Sequence, residues 1–332
     1  MPRMAARPLT RSAAVLASGV LMPMVAACGA VSVHVHVTRG GLTGTSSGLP
    51  ATRARMPLSR EVARRLPDGV FYVLAGANAG SYNLWEISNI GNEIQLTDNR
   101  LGYGISDFGA SPAGIVMADA SSGLDRLARL TGHGAVFLKD GRGSAPDINP
   151  EGQIYYIRPG YDKSHAFFDL VVKKSFAAAG HVIYRQHADI IGGDWGPSHA
   201  IAVISGGHAP HTTGPQPRLL IMHSNGAVKT INTGFGNSLS NVIWSEKAIG
   251  LAVTNWNGAG EVIPPSGSRV RLPRGWFPAA WSPSGSELLV VGRGPSIGIW
   301  QPKYPHVVRT IGTLSRSTMI GEFVWLPRPV KL

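Results

Sequence analysis

The chain changes character at about Asp68. Beyond it, apolar residues come in short runs broken by Gly, Pro, Asn and Ser. Val70-Phe71-Tyr72-Val73-Leu74 is an unbroken apolar strand, whereas Asn83-Leu84-Trp85-Glu86-Ile87 and Glu93-Ile94-Gln95-Leu96-Thr97 alternate, as strands with one wet face do. One unit then recurs: a strand closing on a large apolar residue, a tight turn, and a second apolar strand. Its sharpest copy is Ala280-Trp281-Ser282-Pro283-Ser284-Gly285-Ser286-Glu287-Leu288-Leu289-Val290-Val291. Proline fits the first corner of such a turn, and glycine fits a position that needs φ > 0. Looser copies occupy residues 105–116, 146–155, 193–202 and 242–250, and a half-copy occupies 322–327.

The closing apolar residues are Phe108, Ile148, Trp195, Trp244, Trp281 and Trp325, at steps of about 40 to 50 residues with one slightly shorter. That is the length of one four-stranded propeller blade. Each interval holds three further strands. After Trp195 they fall at 199–205, 218–223 and 228–233; after Trp281, at 287–292, 296–300 and 307–311. The last half-copy has no chain left to make a blade, and the strands between 70 and 97 lack an inner strand. Together they complete one. The expected fold is therefore all-β, a six-bladed β-propeller over residues 68–332, its ring closed by the C-terminal strand pairing with the N-terminal blade. Closure protects the sheet edges, and a solenoid would instead need capping repeats.

Trp281-Ser282-Pro283-Ser284-Gly285 and Ile148-Asn149-Pro150-Glu151-Gly152 resemble the WD40-like (PD40) repeat of TolB-type six-bladed propellers. That repeat reads aromatic, Ser, Pro, Asp, Gly, then an apolar strand; here Ser284 and Glu151 stand in place of its Asp. The resemblance spans residues 68–327 as architecture. It does not extend to the additional N-terminal α/β domain of TolB-type proteins, so it does not imply TolB's role in an envelope complex. Propeller-bearing envelope lipoproteins are the nearer likeness.

The N-terminus reads as an address. Arg3, Arg7 and Arg11 precede an apolar run from 13 to 27 that is short for a membrane span and interrupted by Pro23. It ends in Val25-Ala26-Ala27-Cys28-Gly29, which resembles a bacterial lipobox, and Cys28 is the only cysteine. Residues 1–27 are expected to be a lipoprotein signal peptide, with Cys28 carrying the lipid, palmitate included. Residues 28–67 are then a Gly/Ser/Pro/Arg-rich tether. The other reading is an uncleaved anchor. Either places the remainder outside the cell membrane, lipid-anchored in the first case. A lone cysteine excludes an internal disulfide framework and a Cys-rich zinc site.

The formal charge of +12 is concentrated in this region. Of 31 basic residues nine precede Asp68, against one of 19 acids, so the remaining chain is near +4. Basic residues beside an anionic bilayer attract by about 1 kcal/mol each, which makes the membrane surface an expected partner of the tether. A merely solvated linker is the alternative. Nucleic acid is not expected, because no aromatics interleave these arginines.

Candidate chemistry is sparse. Asp107, Asp147 and Asp194 directly precede the closing apolar residue in three successive copies, where the other three have Ile243, Ala280 and Val324. Inner strands flank the axial channel, so the three carboxylates are expected on one half of it. One reading is a ligand site, or acid/base work by carboxylates that raise one another's pKa. The other is that each Asp accepts backbone N–H bonds at its turn. No cofactor is expected apart from calcium at these carboxylates. His208 and His211 sit in a Gly/Pro-rich loop long enough to bind a ligand. His34 and His36 lie in the tether, and Tyr155, Tyr156 and Tyr161 cluster after the second copy. Gly44-Thr45-Ser46-Ser47-Gly48 matches a hydrolase elbow by letters only, without the strand and helix it needs. No HExxH, P-loop or dinucleotide fingerprint is present. The expected role is a protein- or glycan-binding or scaffold module at the envelope. The alternatives are a carbohydrate-active enzyme using the three aspartates, and an accessory sensor subunit of an envelope complex.

Overall fold

A computed structural model describes residues 69–76, 82–88, 93–98, 104–119, 125–162, 165–206, 217–292, 296–313 and 319–332. Cys28, His34, His36, His208 and His211 lie outside the described residues.

The described strands form six four-stranded antiparallel sheets. The first three strands are β1 (Val70–Gly76), β2 (Asn83–Ser88) and β3 (Glu93–Gln95). Five blades follow, each from consecutive strands. The first holds β4 (Ile105–Ser111), β5 (Gly114–Asp119), β6 (Arg126–Thr131) and β7 (Gly134–Arg142). The second holds β8 (Ser144–Ile148), β9 (Ile154–Asp162), β10 (His165–Lys173) and β11 (Gly180–Gln186). The third holds β12 (Ile190–Trp195), β13 (Ile201–Ser205), β14 (Arg218–Met222) and β15 (Val228–Ile231). The fourth holds β16 (Leu239–Ile243), β17 (Leu251–Asn255), β18 (Gly260–Ile263) and β19 (Val270–Arg271). The fifth holds β20 (Trp276–Trp281), β21 (Leu288–Gly292), β22 (Ser296–Trp300) and β23 (Val308–Thr313). The remaining sheet is composite: β24 (Met319–Leu326) pairs with β1 from Val70↔Leu326 to Gly76↔Met319. The fold is a β-propeller closed by the two ends of its repeat, as the two incomplete ends of the sequence pattern imply.

The strand sequences follow from burial on both faces. In β13, Ile201 and Val203 pack with Tyr155 and Leu170 of the preceding blade. Ala202 and Ile204 pack with Leu239 and Val253 of the next. In β21, Leu288 and Val290 face backwards and Leu289 and Val291 forwards. A strand sandwiched in this way reads as a continuous apolar run. One apolar cluster fills each junction between neighbouring blades, and the last joins Phe323 and Trp325 to Ala280 and Leu289. Each blade also carries a bulge or register shift between its two innermost strands, which re-aims side chains. The tail beyond β24 is latched: the fully buried Tyr72 hydroxyl accepts the Val330 N–H at 2.6 Å and donates to Glu86 at 3.1 Å.

In the sharpest turn, Ser282 N–H donates to the Glu287 carbonyl at 2.8 Å. The Ser282 hydroxyl accepts the Glu287 N–H at 3.0 Å. Ser284 bonds the hydroxyls of Ser282 and Ser286, a local turn bond of the kind an Asp at this position makes. Gly285 holds φ +73°, and a Cβ there would collide with the Lys247 carbonyl of the preceding blade. Gly226 has φ +82° but open space around it. Gly285→Ala is therefore expected to cost about 2 kcal/mol or more, and Gly226→Ala about 1 kcal/mol. Urea unfolding of both variants checks this, and equal losses would refute the blade-to-blade contact.

Candidate functional site

The inner strands β24, β4, β8, β12, β16 and β20 stand at sheet edges, with no further strand to take their outermost N–H groups. Carboxylates take them instead. Asp107 accepts the Phe108 N–H at 2.8 Å and Asp147 accepts the Ile148 N–H at 2.7 Å, each within its own strand. The other bonds cross to the next blade. Glu322 approaches the Phe108 N–H at 3.5 Å, Asp147 accepts from Trp195 at 3.1 Å, and Asp194 accepts from Trp244 at 2.6 Å. The acids thus stitch consecutive inner strands together.

The same groups also meet one another. Asp147 hydrogen-bonds Asp194, and Asp107 hydrogen-bonds Glu322. Two carboxyl groups can share such a bond only if one carries a proton. Burial is the largest influence on all four. It raises Asp107, pushes Asp147 up to about 6, and holds Asp194 and Glu322 well above the usual carboxylate range. Like charge on the partner carboxylate raises Asp194 and Glu322 further. Each pair is therefore arranged to hold a proton between its two carboxyl groups at a pH where an isolated acid is ionised. By surface area all four residues are half-buried, and the direction of each shift follows from the protein packed around the group and from the charge of its neighbours. Beside them the Tyr155 hydroxyl is buried without a hydrogen-bond partner among the described residues, and the charge of the four acids raises it on top of its burial.

All three expected aspartates reach this hub, but not at one level. Counted back from the turn proline, Asp147 and Asp194 stand three residues before Pro150 and Pro197. Asp107 stands five before Pro112, and Glu322 five before Pro327. The two hydrogen-bonded pairs are these two levels. At the level of Asp147, the first complete blade has Gly109, where a Cβ would overlap the Asp147 Cα and carboxylate. Aligning the copies on Phe108 and Trp325 conceals Glu322; aligning them on proline finds it. Each aspartate accepts a backbone N–H bond, as the second reading expects, and the three lie close enough to influence one another. Of the tyrosines, Tyr155 and Tyr156 are core residues and Tyr161 is exposed.

A second cluster sits on the turns. One ligand atom each from Glu151, His199 and Glu246 lie within 4.8 Å of one another. These residues follow β8, β12 and β16, one per blade. Further out, Asp169 is fully covered and forked between Arg185 at 2.6 Å and Arg158 at 2.8 Å. Burial opposes its ionisation, but the two guanidiniums outweigh it and hold the carboxyl below its usual range.

No protein-family model matches the sequence, and no curated protein matches it. Solved structures do. A chain of a nidogen/laminin complex is 12% identical over 78% of this chain and 98% of its own, with a TM-score of 0.57. TolB from Acinetobacter baumannii is 12% identical over 78% of this chain and 66% of its own, at 0.53. An oligogalacturonate lyase from Vibrio parahaemolyticus is 12% identical over 80% and 85%, at 0.50. The likeness is one of fold. It supports the TolB-like propeller reading of the repeat and carries no activity with it.

The proton-sharing pairs have a sign that can be measured. Folded-state values lie above unfolded ones, so the folded protein holds more protons and its stability falls as pH rises. The fall begins at the ordinary carboxyl range near 4 and continues through the value of about 6 for Asp147. Each tenfold gain in proton affinity on folding is worth about 1.4 kcal/mol, so with the acids coupled in pairs the loss between pH 5 and pH 8 is expected to be about 2 kcal/mol. Asp194→Asn removes one titrating group of its pair, so this variant is expected to show a flatter profile that keeps only the share of the Asp107–Glu322 pair. Urea titrations at a series of pH values decide between the outcomes; a wild-type profile that rises from pH 5 to pH 8 refutes the shared protons.

Proposed function

We propose that this protein is a lipid-anchored, extracytoplasmic propeller that binds a protein or glycan of the cell envelope and is not itself a catalyst. The observation that carries this is the hub: its four acids are engaged with backbone N–H groups and with each other. A glycosidase of the usual kind instead keeps two carboxyl groups about 5 to 10 Å apart across an open cleft. With the hub acids so engaged, recognition falls to the loop-covered faces, where the sequence offers His208 and His211. Calcium at the hub would have to displace both shared protons, so the reading includes no cofactor there. Among the described residues no helix is long and apolar enough to cross a membrane. Membrane attachment in this reading rests on Cys28 and the basic tether.

The enzyme alternative keeps one supporting observation. Asp147 and Asp194 are neighbouring carboxyl groups with raised values of the kind that acid/base catalysis uses. One experiment treats both readings. The full chain is expressed in bacteria fed an alkyne-tagged palmitate and fractionated; the purified protein is then incubated with envelope glycans. The wild type is expected to carry the label and sediment with membranes, while Cys28→Ala is unlabelled and released. Glycan retention without new reducing ends supports the module, and it should survive Asp147→Asn. Release of reducing ends that Asp147→Asn abolishes would make the protein an enzyme.

A further inference from the structure

The hairpins after β8, β12 and β16 end at the same face of the propeller and belong to three consecutive blades. Each presents one metal-ligating side chain there: Glu151, His199 and Glu246. Their ligand atoms lie within 4.8 Å of one another. Residues almost 100 positions apart meet only because the blades stand side by side, so the cluster is a product of the ring and not of local sequence.

The set is mixed, one imidazole nitrogen and two carboxylates. His199 Nδ1 stands 3.8 Å from Glu151 Oε2 and 3.3 Å from the side-chain nitrogen of the buried Asn149. His199 and its neighbour Ser198 both hold φ 57°, a left-handed pair that sets where the ring projects. Glu151 and His199 are exposed and Glu246 is half-buried, so an ion reaches all three without any rearrangement of the fold.

We propose that Glu151, His199 and Glu246 form a binding site for a first-row divalent metal at this mouth of the propeller. Imidazole suits zinc, and carboxylates suit both zinc and manganese, whereas calcium prefers oxygen ligands alone. Ligand bonds of about 2.1 Å require the donors to close by roughly 1 Å, which side-chain rotation of the two glutamates supplies. Three protein ligands leave zinc at least one open position. An outside carboxylate or hydroxyl, from a glycan or a partner chain, would complete the shell. This site is independent of the proposed role as a binding module and stands or falls by itself.

The test is calorimetric titration of the full chain in detergent with zinc chloride, manganese chloride and calcium chloride, each alone. One equivalent of zinc or manganese is expected to bind, with calcium at least tenfold weaker. His199→Gln and Glu246→Gln should each weaken binding tenfold or more. A His34→Ala/His36→Ala variant, altered only in the tether, should bind as the wild type does. Visible absorption of the cobalt-loaded protein reports the ligand field and should change in His199→Gln but not in the tether variant. If one of the two site variants fails to fold, the other decides. No binding by the wild type, or binding lost in the tether variant and kept in His199→Gln, overturns the proposal.

Discussion

Every blade of a propeller has two edges, one at the rim and one at the axis. The inner strand of every blade ends the sheet there, and its N–H groups have no strand to meet. Leaving such a group unsatisfied in a desolvated place costs about 1–3 kcal/mol. In this chain carboxylates fill the need for three junctions, from Glu322 to Phe108, from Asp147 to Trp195, and from Asp194 to Trp244. Much else follows from that choice. Acids close enough to the axis to reach the next strand are close enough to repel one another, and that repulsion raises their affinity for a proton.

This arrangement explains features that look unrelated in the sequence. Gly109 is small because the Asp147 backbone and carboxylate occupy the space a side chain would need. The bulges between the two innermost strands of each blade let short strands turn a side chain towards a neighbour without breaking the outer ladder. The apolar content is placed at the junctions between blades, where alternate residues of a single strand serve two different interfaces.

The fold is largely legible from spacing and from the two incomplete ends, because a blade is a local object and repeats advertise themselves. Ring closure by β24 follows from counting strands. The site is legible only in part. Asp147 and Asp194 announce themselves by standing before Ile148 and Trp195, but Asp107 reaches the hub from a different level, and matching Trp325 to Phe108 hides Glu322. The turn proline is the better ruler, since the backbone is most constrained there. Glu151, His199 and Glu246 carry no signal at all. They occupy slightly different offsets in three turns, and only the lateral contact of blades, which no linear pattern encodes, brings them together.

The contrast between the two clusters bears on where ligands go. At the hub the carboxyl groups that could attract a ligand are already engaged with donors, and the orphaned hydroxyl of Tyr155 is enclosed with them. A ligand would have to break a stitch between blades to enter, and so would be opposed by the stability of the ring. At the turns the donors are wet and the backbone beneath them is fixed by the left-handed pair Ser198 and His199. Binding there asks only for side-chain rotation. Under the proposed reading the acids at the axis are occupied with backbone and with one another, and recognition falls to the rim, where loops vary without cost to the fold.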